Sequence, residues 1–156
     1  ANLSRVLGEL MFLLEYRDQS VPLSGGGAEE FQIPQNVMII GTMNTADRSI
    51  ALVDHALRRR FAFLELYPDY EVLRRFHADT GFDPEGLINL LKSLNAAIND
   101  RHYSVGITFF LSPNIKEDIA DIWQMELEPY IEELFFDQPD KAAGFEWDKV
   151  KAEIMR

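Results

Sequence analysis

The sequence predicts an α/β protein in two parts: alternating strand and helix over residues 1–67, then helix and loop alone over residues 68–156. Three observations carry this. Asn36-Val-Met-Ile-Ile40 is a short continuous apolar run, the pattern of a strand covered on both faces in a parallel sheet. Gly41-Thr-Met-Asn-Thr-Ala-Asp-Arg-Ser49 follows at once with polar side chains, as at the carboxyl end of such a strand, where open α/β sheets bind ligands. Beyond the turn Tyr67-Pro-Asp69, apolar residues recur only at helical spacing.

The chain opens on an amphipathic helix, with Leu3, Val6, Leu7, Leu10, Met11 and Leu14 on one face and Asn2 or Ser4 as its cap. Val21-Pro-Leu23 and Phe31-Gln-Ile-Pro34 flank Ser24-Gly-Gly-Gly27, which predicts two short strands joined by a glycine-rich tip. That hairpin reads equally as a docking projection or as a plain surface ribbon. After the Asn36–Ile40 strand, Ser49 caps a helix whose buried stripe is Ile50, Val53 and Leu57 and whose last turn carries Arg58, Arg59 and Arg60. Phe61-Ala-Phe-Leu-Glu-Leu66 is the next strand.

In the helical part, Glu71–His77 forms a short helix, and Leu87, Leu90, Leu91, Leu94 and Ile98 stripe a second after the turn at Asp83-Pro84. Ile115, Ile119 and Ile122 begin a third. Pro129 kinks or divides it, and Ile131, Leu134 and Phe135 continue the apolar face. Trp147, Val150, Lys151 and Ile154 suit a last short helix.

Composition fits a globular chain, with 47% hydrophobic and 12% aromatic residues among 156. A formal net charge of -11 argues against an extended nucleic-acid surface, because neutralising phosphates takes clustered cations. The local exception is Arg58–Arg60. The chain has no cysteine, which excludes disulfides and thiolate metal sites, and its three histidines, His55, His77 and His102, lack metal-ligand spacing. No metal site is therefore expected within the chain. Nor does any run approach the roughly 18–20 apolar residues needed to cross a bilayer, so a cytoplasmic protein without membrane contact is the expectation.

Chemically, an amide at a strand tip, Asn44, suits orienting a nucleophilic water or touching a phosphate. Arginines in a final helical turn have an ordinary explanation in the helix dipole, worth about 0.3–1 kcal/mol. Joined to the Asn44 motif, they suit phosphoryl transfer instead. Arg58 has a structural alternative, an ion pair with Asp54 one turn earlier, and Asp47 has one as a cap of the following helix.

The run Met43-Asn-Thr-Ala-Asp-Arg-Ser49, with Ala56-Leu-Arg-Arg-Arg-Phe61 behind it, resembles the sensor-1 and arginine-finger region of McrB-type AAA-plus nucleotidases. The resemblance covers residues 1–70 well and the remainder weakly. It implies the C-terminal part of an AAA-plus αβα core, residues 1–67, followed by a helical lid, residues 68–156. It assigns Asn44 as sensor 1, Asp47 as its polar partner, Arg59 or Arg60 as the finger, and Asn44, Arg58 and Arg101 as nucleotide contacts. In the lid, Arg101-His-Tyr-Ser-Val-Gly-Ile-Thr-Phe-Phe110 stands where that family carries an Ile-Gly-His-Ser-Tyr-Phe-like run. Val105, Gly106, Thr108 and Phe110 fit, Ile107 replaces the histidine, and Arg101 is the candidate lid cation, with a solvated helix-end arginine as its alternative.

The resemblance further implies GTP or ATP with Mg2+ as the full-length protein's cofactor. It implies a homo-oligomeric ring, hexameric in the full-length protein, a nuclease partner subunit, and DNA contacts through other domains or subunits, in the restriction of DNA bearing modified cytosines. No Gly-x-x-x-x-Gly-Lys-Ser/Thr run and no strand ending in paired acids occurs in the chain. The expectation is thus a part of a longer nucleotidase that lies after its magnesium-binding strand. Such a part neither hydrolyses nucleotide nor holds it tightly alone. The alternative is a non-catalytic oligomerisation or partner-docking module on an AAA-plus scaffold.

Overall fold

The computed structural model describes residues 7–8, 10–22, 30–44 and 55–156. The chain falls into two compact units, Ala1–Glu65 and Leu66–Arg156.

In the first unit, α1 spans Leu10–Glu15 and buries Leu13 completely, with Leu10, Met11 and Leu14 half-buried beside it. The rest of the expected stripe, Leu3 and Val6, lies outside the described residues. Strands β1 (Val21–Pro22) and β2 (Glu30–Phe31) pair antiparallel in the register Val21 with Phe31 and Pro22 with Glu30. This is the expected hairpin pairing; its glycine-rich tip lies outside the described residues. Ser20 hydrogen-bonds Glu30 across the ladder. Arg17 bonds the Val37 carbonyl, and its own carbonyl accepts from Gln32 at 3.1 Å, which fastens the chain leaving β2. Helix α2 (His55–Arg60) is held by Leu57, only 1% exposed. The residues expected to start this helix, Ser49, Ile50 and Val53, lie outside the described residues.

Two expected strands are corrected. Neither Asn36–Ile40 nor Phe61–Leu66 enters a hydrogen-bonded ladder, and their side chains stand in solvent, with Met38 87%, Ile40 89% and Leu66 94% exposed. The reason is physical. An apolar run becomes a strand only where neighbours satisfy its amides and carbonyls, and among the described residues the sole ladder is β1–β2. The parallel sheet of the expected core is therefore not formed by the described residues.

The second unit is all helical. Helix α3 (Tyr70–His77) starts where the Asp69 carboxylate accepts from the Glu71 amide at 3.0 Å, an N-cap with Glu71 in the favourable first turn. Helix α4 (Glu85–Ile98) buries Leu87, Leu90, Leu91 and Leu94 of the expected stripe and Ile88 beside them, while Ile98 at its end is half-buried. It ends at Asn99, which takes the left-handed conformation at φ 52° so that its N–H closes on the Asn95 carbonyl. Arg74 bridges α3 and α4 through Glu85 at 2.5 Å and Glu71 at 3.0 Å. Those bonds hold the Glu85 carboxyl below its usual range and push the guanidinium further up.

Helix α5 (Ile115–Ile122) runs through a π-helical turn, Trp123–Leu127, into α6 (Glu128–Leu134). Pro129 sits in the first turn of α6 and does divide the helix: it has no N–H to donate, and the wide turn before it lets the Glu128 amide reach the Trp123 carbonyl. Helices α7 (Pro139–Ala143) and α8 (Trp147–Ile154) complete the unit, α8 lying against α4 through Val150 and Ile154. The core centres on Trp123, fully buried, whose indole N–H donates to the Phe145 carbonyl at 2.8 Å. His77 is the buried polar exception: its Nε2 donates to the Phe110 carbonyl at 2.8 Å, and its Nδ1 faces the Thr80 hydroxyl at 3.0 Å.

Candidate functional site

Helix α2 is too short to hold its shape unaided, and two anchors fix it. Leu57 is buried on one side, and Arg60, with 16% of its side chain exposed, forms an ion pair with Glu15 of α1. Arg58 and Arg59, one and two residues past Leu57, consequently face outward and are exposed. The Arg58 guanidinium lies 5.7 Å from the Phe63 ring centroid, a cation–π contact and not the Asp54 pair of the sequence alternative; Asp54 lies outside the described residues. Arg59 forms no ion pair among the described residues. The cluster thus divides into an inner arginine that braces the helix and two outer ones that present charge.

Asn44 is exposed, at the last described position before the polar run continues. Asp47 lies outside the described residues. Asn44 and the three arginines belong to the same unit. Arg101 belongs to the second unit. It opens a 3-10 turn, Arg101–Tyr103, capped by the Asp100 carboxylate, which accepts from the His102 amide at 2.9 Å. Its Nη1 donates to the Tyr67 hydroxyl at 3.1 Å, so it is a tethered surface cation.

The loop following Arg101 is fixed by a residue that sequence reasoning missed. Asn95, half-buried one residue past Leu94 on α4, accepts from the Val105 amide at 2.7 Å and donates to the Val105 carbonyl at 3.1 Å and to the Tyr70 hydroxyl at 3.2 Å. Tyr130 adds a bond to the Tyr103 carbonyl at 2.7 Å, and burial pushes its phenol up. Val105 and Phe110 are buried, 2% and 0% exposed, so two of the four residues that fit the family run serve as core anchors. Asn95→Ala is expected to destabilise the helical unit by about 1–3 kcal/mol, because it strands both Val105 backbone groups without partners. Urea melts followed by tryptophan fluorescence measure this; an unchanged midpoint contradicts it.

Among the described residues, no group of three or more His, Asp or Glu side chains is placed to hold a metal ion. Among them also, no helix is long and apolar enough to cross a membrane.

Residues 86–143 match the family described as the McrB alpha-helical lid domain. That range lies within the helical unit and includes α4, the Arg101–Phe110 loop and α5 to α7, where the motif resemblance was partial. The helical unit thus carries a stretch similar to a McrB-type lid, and the similarity to a McrB-type protein extends beyond it. Over 164 aligned positions, 90% of its length, the chain is 37% identical to the type IV methyl-directed restriction enzyme EcoKMcrB subunit of Escherichia coli strain K12. It spans 36% of that relative's length, about a third.

Proposed function

We propose that this chain is the sensor-1, arginine-finger and lid portion of an AAA-plus nucleotide hydrolase, the motor subunit of a DNA restriction system. Residues 1–67 supply part of the nucleotidase core and residues 68–156 the lid. The observation that carries the proposal is the braced α2 helix, which leaves Arg58 and Arg59 exposed, together with an Asn44 that is also exposed. It is joined to a sequence 37% identical to a restriction subunit across 90% of the chain.

The group such a site would serve is GTP or ATP with Mg2+. An amide and outward guanidinium groups suit the γ-phosphate end of a nucleoside triphosphate, where charge spreads over the transferred oxygens. The chain supplies no glycine-rich phosphate cradle, so these residues fit the transferred group and not the whole nucleotide. Asn44 orients the attacking water. Arg59 neutralises the phosphoryl oxygens on a neighbouring subunit's nucleotide, and Arg58 supports it. Arg60 acts through position, holding the helix to Glu15. Asp47 serves as the polar partner of Asn44, and Arg101 is the lid cation. The assembly is a homo-oligomeric ring working with a nuclease partner, and the DNA is contacted by other domains or subunits.

In the full-length protein, Asn44→Ala is expected to lower GTP or ATP turnover about 10²-fold or more while leaving nucleotide affinity within a few-fold, since the amide acts on the water and not on the cradle. Steady-state turnover and calorimetric binding measured side by side check this. Equal loss of both would instead make Asn44 a binding residue.

A further inference from the structure

The helical unit carries a groove of about 470 Å³ between α6, α7 and the turn into α8 that the nucleotide reading leaves unused. Its floor is apolar, formed by Ile131, Phe135, Ala142 and Phe145, and Phe136 stands at its edge with 83% of its surface in solvent. Four carboxylates rim it: Glu128, Glu132, Asp140 and Glu146. Two are engaged within the fold, Glu128 accepting from the Trp147 amide and Glu146 facing Lys149 at 3.7 Å. Neither Glu132 nor Asp140 forms an ion pair among the described residues, and both are exposed. The nearest cation in sequence, Lys141, is held against the groove's own floor residue Phe135. It donates to the Ala97 carbonyl at 2.6 Å and lies 4.5 Å from the Phe135 ring centroid.

We infer that this groove docks an amphipathic segment of a partner protein, one whose aliphatic or aromatic side chains enter the apolar floor and whose Lys or Arg residues meet Glu132 and Asp140. The volume lies within the roughly 300–1,000 Å³ range of built pockets, and an exposed aromatic beside an apolar floor is the ordinary anchor of a helix-in-groove contact. Charge selects the occupant. A nucleotide or DNA backbone is disfavoured by the exposed Glu132 and Asp140, whereas a basic segment gains both the burial and the pairing. The inference does not depend on the nucleotide chemistry proposed above, because it concerns residues that take no part in it.

The test uses the full chain and three fluorescein-labelled helical peptides of roughly 14 residues: leucines at helical spacing with lysines elsewhere, the same leucines with glutamates, and the lysine peptide with its leucines made alanine. The lysine–leucine peptide is expected to bind by anisotropy, and the other two about tenfold more weakly or less. Glu132→Lys with Asp140→Lys is expected to weaken binding by about tenfold, while Glu117→Lys with Asp121→Lys, the same change in net charge on α5, leaves it unaltered. Equal loss in both double variants, equal binding of the glutamate peptide, or no binding at all overturns the inference. So does self-association in sedimentation velocity that only the Glu132/Asp140 variant abolishes, which would make a second copy the occupant.

Discussion

Arg59→Ala is expected to reduce nucleotide turnover by the full-length protein about 10³- to 10⁵-fold, with little change in nucleotide binding by the same subunit. Phosphoryl transfer leaves the protein little covalent work, so a guanidinium placed against the transferred oxygens accounts for much of the acceleration. The three arginines of α2 are not equivalently placed. Arg60 is drawn inward by Glu15, and Arg58 lies over Phe63. Arg59 is exposed and forms no ion pair among the described residues, which leaves its charge available to a second molecule. Arg60→Ala removes the brace and is expected to produce a milder loss that Lys in its place partly restores. Arg59→Lys is expected to restore little, because the forked, planar geometry is lost. Turnover of the four variants, with binding measured on each, checks the ordering; a larger loss from Arg60→Ala than from Arg59→Ala contradicts it.

Gly86→Ala is expected to destabilise the helical unit by about 2–3 kcal/mol, lowering its melting temperature by on the order of 10 °C. Elsewhere in a helix this change is favourable by about 1 kcal/mol, since alanine is the better helix former. Here a Cβ on Gly86 would lie 1.9 Å from the Glu153 carbonyl oxygen and 2.9 Å from its carbon. Both obstacles are backbone, so no rotamer change relieves them, and α8 must move away from α4. That opens the contact made by Val150 and Ile154, now 4% and 1% exposed. Fluorescence reports this unit directly, because both tryptophans of the chain, Trp123 and Trp147, belong to it. A melting temperature that stays level or rises contradicts the close approach.

The helical unit was the more legible half. Leu87, Leu90, Leu91 and Leu94 recur at a spacing that only a helix places on one face, and Asp69 and Pro129 mark ends by local chemistry that needs no distant partner. Helix α7 was missed because five residues are too few to show a period, although Pro139 at its start was a usable signal. Asn95 and His77 were not legible. Each is a polar side chain satisfied by backbone far along the chain, Val105 in one case and Phe110 in the other, and no local pattern announces such a pairing. The opposite error arose at Asn36–Ile40 and Phe61–Leu66. Their apolarity was legible, but a ladder requires partners, and β1 and β2 are the only paired strands among the described residues. At the candidate site, the arginine run was legible as local basic charge, whereas the inward pairing of Arg60 depends on Glu15, which lies 45 residues away and carries no local mark.

The central claim is that Asn44 and Arg59 of one subunit serve two different nucleotides. Mixing Asn44→Ala subunits with Arg59→Ala subunits, each inactive alone, measures this most directly. In a randomly mixed ring, roughly a quarter of the interfaces join an intact Asn44 to an intact neighbouring Arg59. The account predicts that turnover returns on mixing to a comparable fraction of the unaltered protein. If mixed rings form and remain as inactive as either parent, both residues act on the same nucleotide and the account is wrong.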